Sequence, residues 1–123
     1  MIGNIKALND ILKTLSNSAK PIKSETITLA LATVYQLTVP SQATSVRIVI
    51  DADEAIKCHD ATKMARYWTS GVTPTATTGF IMSNLDEIYI DGKEQMAAFK
   101  IIESDLTATG TEVISLNIQF YQE

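Results

Sequence analysis

Ile114-Ser115-Leu116-Asn117-Ile118-Gln119-Phe120 alternates apolar and polar residues without a break. Successive side chains of a strand point to opposite faces, so this period of two describes a strand with one face buried and the other wet. Reading back toward the N-terminus, the same alternation recurs broadly in Thr26 to Ala30, Tyr35 to Val39 and Val46 to Ile50. Ala65 to Thr69, Glu87 to Ile90 and Ala97 to Ile102 read as further strands, and Ala55 to His59 as another. Punctuation separates them: a turn at Pro40-Ser41-Gln42-Ala43, acidic residues Asp51, Asp53 and Glu54 that break a strand, a hairpin-type Asp91-Gly92, and Thr109-Gly110. The result is about seven to nine short strands at the spacing of sandwiches and barrels. Fifteen threonines and nine serines suit extended backbone with a solvated face. The expected fold is mainly β, an antiparallel β-sandwich of jelly-roll or Ig-like type.

Residues 4–17 follow a different period. Ile5, Leu8, Leu12 and Leu15 are spaced 3-4-3, which places them on one face of a helix. The pattern ends at Ser16-Asn17-Ser18, and Pro21 opposes its continuation. The expected division is an amphipathic N-terminal helix over 1–18 and a β-sandwich domain over 19–123, with Ser16 to Lys23 as the linker. Two roles fit the seam: packing on its own domain, or oligomerisation and docking, since the spacing also fits a heptad. Helices below about 12 to 15 residues are marginal in water, so the seam needs a partner surface.

The chain has 123 residues, 46% of them hydrophobic, which is enough for a core. Its formal charge is -4, and Lys57, Lys63 and Arg66 are interleaved with Asp60 rather than clustered. That argues against nucleic acid or an anionic membrane as partner. Cys58 is the only cysteine, so no intrachain disulfide is expected. The start MIGNIKALND has neither the basic nor the apolar run of a secretory signal, and no stretch approaches the roughly 20 apolar residues of a membrane span. Export is therefore expected inside a larger particle or by lysis.

Chemistry is thinly represented. Cys58-His59-Asp60 suggests a thiol and an imidazole, but neighbours on a strand face opposite ways, and His59 is the only histidine. Asp51-Ala52-Asp53-Glu54 opens like a calcium loop, then places Ile56 and Thr62 where glycine and glutamate belong. Asp86, Glu87, Asp91 and Glu94 read as charges on a solvated end. There is no phosphate-cradling glycine loop and no GxSxG elbow. No catalytic, cofactor or metal residue is assigned. Trp68 with Thr73 and Thr75 forms a candidate ligand surface, because an aromatic face beside hydroxyls suits carbohydrate.

Arg66-Tyr67-Trp68, Gly71 and the loop Thr73-Pro74-Thr75-Ala76-Thr77-Thr78-Gly79 join an aromatic strand to a Thr/Pro loop closed by glycine. Ala97 to Ile102 adds a strand of the Ala-Ala-Phe-x-x-Ile type, and Ile118-Gln119-Phe120-Tyr121 a terminal aromatic strand. On these residues the chain, from Thr26 to the C-terminus, resembles the small β-sandwich structural proteins of tailed-bacteriophage virions. It departs from their pattern in the insertion Lys57 to Lys63. The resemblance implies a non-enzymatic virion component, of head-decoration or head-fibre type, made in the bacterial host cytoplasm. Its implied partners are capsid or fibre subunits and further copies of itself, through Ile5, Leu8, Leu12 and Leu15. The alternative is a host-receptor or glycan-binding module of a tail or fibre.

Overall fold

The computed structural model describes residues 19–52, 62–104 and 113–123. Within them run β1 (Lys20–Thr28), β2 (Tyr35–Gln36), β3 (Ser45–Ala52), β4 (Ala65–Trp68), β5 (Phe80–Met82) and β6 (Glu87–Asp91). A short helix α1 (Lys93–Ala98) follows, then β7 (Lys100–Glu103) and β8 (Ile114–Gln122). The strands make two four-stranded antiparallel sheets, β1-β8-β3-β6 and β2-β7-β4-β5. The pairing is nested: β1 with β8, β2 with β7, β3 with β6, and β4 with β5. First pairs with last, inward to the β4–β5 hairpin. Contacts of β3 with β8 and of β4 with β7 then join alternate pairs into opposite sheets.

One apolar core draws on both sheets. β3 contributes Val46, Ile48 and Ile50, and β8 contributes Leu116, Ile118 and Phe120. The other sheet adds Ala65, Met82 and Ile101. The alternation in β8 has its expected consequence, since Ile114, Leu116, Ile118 and Phe120 are buried while Ser115, Asn117 and Gln119 are not. Each fully buried large aliphatic or aromatic side chain contributes about 1.5–3 kcal/mol.

Several local expectations change. Asp51 does not end its strand: β3 continues through Ala52, with Asp51 opposite Ser115 on the wet face. Lys20 to Lys23 are strand rather than linker, since β1 pairs with β8 from Lys20 onward and absorbs one irregularity between Pro21 and Lys23. β1 is an edge strand, where a proline beside such an irregularity is tolerated. Asp91-Gly92 makes no hairpin. Gly92 takes φ 102 and opens α1, because Lys93 to Ala98 are all good helix formers with Glu94 in the first turn. Met96 on α1 and the following Phe99 are fully buried, so the helix plugs one end of the core. The expected N-terminal helix, with Ile5, Leu8, Leu12 and Leu15, lies outside the described residues, as does Ala55 to His59.

Candidate functional site

The loop-bearing stretch from Ala65 to Gly79 is a β-hairpin arm. Tyr67 pairs with Phe80 across β4 and β5, and residues 69–79 form the connection. Tyr67 packs toward the core against Phe99, and Trp68, next along β4, is half-buried. Within the connection the chain makes a smaller turn of its own. Thr75 and Thr78 exchange backbone hydrogen bonds of 3.1 and 3.3 Å. The Thr75 hydroxyl also accepts from the amides of Thr77 and Thr78, at 3.3 and 3.0 Å. This local acceptance is the property that makes threonine a turn residue. Pro74 is buried beneath the turn.

Gly79 closes the loop by lying directly on β4. It holds φ +124, and a β-carbon there would stand 3.1 Å from the Tyr67 carbonyl oxygen and 3.2 Å from Arg66 Cβ. Arg66 Nη1 donates to the Gly79 carbonyl at 3.1 Å, and Lys100 Nζ to that of Gly71 at 3.2 Å. The loop is thus tied to the sheet at both ends.

β5 and β6 are edge strands of the two sheets and follow one another in the chain, so they flank the same side of the sandwich. This side carries most of the exposed large apolar residues: Phe80 at 58% exposure, Ile81 at 41%, Leu85 at 66% and Tyr89 at 58%. Phe80 meets Tyr67 at a ring separation of 5.7 Å and Trp68 edge-on at 5.2 Å. A cleft of about 350 Å³ opens between the sheet edges, lined among others by Tyr67, Phe80, Ile88 and Tyr89, with Thr69 and Asp91 also on its wall. The turn joining the strands is rigidly built. The Asp86 carboxylate accepts from the Ser83 amide at 2.7 Å, and Asn84 Oδ1 from the Ala52 amide at 3.2 Å. Burial raises the Tyr67 phenol above its usual range, with the Asp86 carboxylate adding to the effect.

The opposite side is constructed differently. β1 presents Pro21, a bulge, Lys20 and Lys23, and Glu25 sits opposite Ile118 on the core-facing side of the strand. Proline, bulges, edge lysines and inward-pointing charges all discourage another strand from adding. Burial and the charge of Glu25 raise the Tyr35 phenol above its usual range.

Among the sequence-derived candidates, Trp68 is half-buried and Thr73 is exposed. Thr75 is exposed too, with its hydroxyl engaged in the turn. The structure brings Trp68 together with Phe80, which the sequence had not singled out. Cys58, His59, Asp60, Asp53 and Glu54 lie outside the described residues. Among the described residues, no three His, Cys, Asp or Glu side chains gather as for a metal ion, and no helix is long and apolar enough to cross a membrane. Compared with protein-family models, with curated proteins and with solved structures, the chain gives no match.

Proposed function

We propose that this chain is a non-enzymatic structural component of a phage virion, of the head-decoration or head-fibre kind, that associates with further copies of itself. The observation that carries the reading is the nested pairing of first strand with last around a central hairpin. Eight strands wound this way into two sheets support a jelly-roll reading, an architecture used in viral capsid domains and also in lectins and cupins. The one-sided distribution of exposed apolar residues supports association. The β1 edge is blunted, while the β5–β6 side displays Phe80, Ile81, Leu85 and Tyr89. Exposed apolar residues gathered on one side mark interaction surfaces more than isolated ones do. A second copy covering Phe80 and Tyr89 would remove both rings from water without disturbing either core. The N-terminal seam of Ile5, Leu8, Leu12 and Leu15 would add to the same assembly or dock it on a capsid subunit. Light scattering of the purified protein together with mass spectrometry and electron microscopy of purified particles tests this. The expected result is a self-associating protein present in virions; a strict monomer missing from particles overturns it.

A further inference from the structure

The outer face of the β1-β8-β3-β6 sheet is a second surface, which adjoins the aromatic side where Tyr89 stands opposite Arg47, and its chemistry differs. Strand register sets Ser24 beside Gln119 and Arg47, and Thr26 beside Asn117 and Val49. Together they line a groove of about 590 Å³. Two hydroxyls and two carboxamides occupy the β1 and β8 part of it, and the one cation, Arg47, is neutralised in place. Arg47 Nε donates to Glu87 Oε1 at 2.6 Å and its Nη2 to Glu87 Oε2 at 3.0 Å. That fork turns the guanidinium charge toward β6, and the carboxylate of the lining, Glu25, lies 3.8 Å from Lys23 Nζ, so both charges of the groove are paired.

The carboxamides are also oriented. Asn117 Oδ1 accepts from the Thr26 hydroxyl at 2.9 Å, and Gln119 Oε1 from the Tyr121 hydroxyl at 2.9 Å. With each amide oxygen engaged, Asn117 Nδ2 and Gln119 Nε2 are the groups these side chains can offer a ligand in the groove they line. They are two residues apart on one strand face, roughly 7 Å along it. Across from them on β1, the Ser24 hydroxyl can donate and accept, while the Thr26 hydroxyl, its proton given to Asn117, can accept. A groove whose two charges are each paired, and whose remaining polar groups are amides and hydroxyls, complements a ligand dense in neutral hydroxyl groups. Apolar and charged ligands fit less well, because each would leave these polar groups desolvated and unmatched.

We propose that this groove binds a neutral oligosaccharide, with Asn117 and Gln119 as the principal donors and Ser24 and Thr26 as supporting contacts. The proposed contacts lie on β1 and β8 rather than on β5 or β6, so variants at them test the groove separately from self-association. Heteronuclear NMR of the full chain, titrated with cellohexaose, maltohexaose and chitohexaose and with oligogalacturonate as the anionic comparison, reads it directly. At least one neutral oligosaccharide is expected to shift the side-chain amide signals of Asn117 and Gln119 saturably. Asn117→Ala and Gln119→Ala should each weaken that binding by about three- to tenfold, the effect of one lost hydrogen bond. Thr26→Val keeps the strand-favouring shape while removing the hydroxyl and should weaken it less, and Trp68→Ala should bind as the parent does. The proposal is overturned if no neutral probe moves these amide signals at millimolar concentration. It is overturned equally if oligogalacturonate binds more tightly, or if both alanine variants keep full affinity.

Discussion

Gly79 rests on the backbone of Tyr67 so closely that a β-carbon would lie 3.1 Å from the Tyr67 carbonyl oxygen. The atom in the way is main chain of a paired strand and cannot swing aside. The backbone at Gly79, at φ +124, is also one that other residues rarely adopt. Gly79→Ala is expected to lower stability by about 2 kcal/mol in urea denaturation. Gly71→Ala, at φ +86 with open space around it, should cost about 1 kcal/mol. Equal costs would mean that the contact with Tyr67 contributes nothing.

The Thr75 hydroxyl serves two amides of its own turn, so its loss should be felt locally. Thr75→Ala is expected to reduce hydrogen-exchange protection of the Thr77 and Thr78 amides several-fold, while global stability falls by no more than about 1 kcal/mol. Unchanged protection at both amides would show that the backbone pairing with Thr78 alone holds the turn.

Phe120 is fully buried and sits on β8 between β1 and β3, at the centre of its sheet. Phe120→Ala should cost about 3–5 kcal/mol, the usual range for a large aromatic core truncation. A chemical denaturation midpoint within error of the parent would contradict the placement of the core.

Tyr35 and Tyr67 both have phenol groups shifted above the ordinary tyrosine value of 10.0 in the folded protein, chiefly through burial. The sign follows from the protons. Above the unfolded value the unfolded chain has released these protons while the folded chain still holds them. Stability from this source is therefore complete below pH 10 and declines as the pH rises through the folded values. Spectrophotometric titration should show two late-ionising tyrosines, accompanied by falling thermal stability. Tyr35→Phe should lessen the alkaline decline; an identical decline in that variant would remove Tyr35 from the explanation.

The β8 strand was fully legible because one face of it is core and the other water, the condition under which period two is unambiguous. The end of β3 was not, since Asp51 lies on the wet face and a carboxylate there is compatible with strand as well as with turn. Asp91-Gly92 misled for a related reason. Glycine at positive φ serves a hairpin and a helix start alike, and only the helix-forming residues after it distinguish the two. Phe99, expected within a strand begun at Ala97, is instead the junction between α1 and β7. The candidate sites were half legible. Trp68 stood out as a single aromatic, whereas its partner Phe80 and the exposed Tyr89 come from other strands that only the fold brings to the same side. The wet face of β8 was legible as Ser115, Asn117 and Gln119, but the groove that Asn117 and Gln119 help to line required the register of β1 against β8.

Self-association through the β5–β6 side is tested most directly by sedimentation velocity over a range of concentrations, comparing the parent with Phe80→Glu and Tyr89→Glu. Both residues are 58% exposed, so neither charge should disturb the fold, and melting temperatures provide the check. The parent is expected to form a species larger than the monomer, and each variant to shift that equilibrium toward monomer at unchanged melting temperature. A parent that sediments as a monomer at every concentration, or variants that associate as the parent does, would contradict the account.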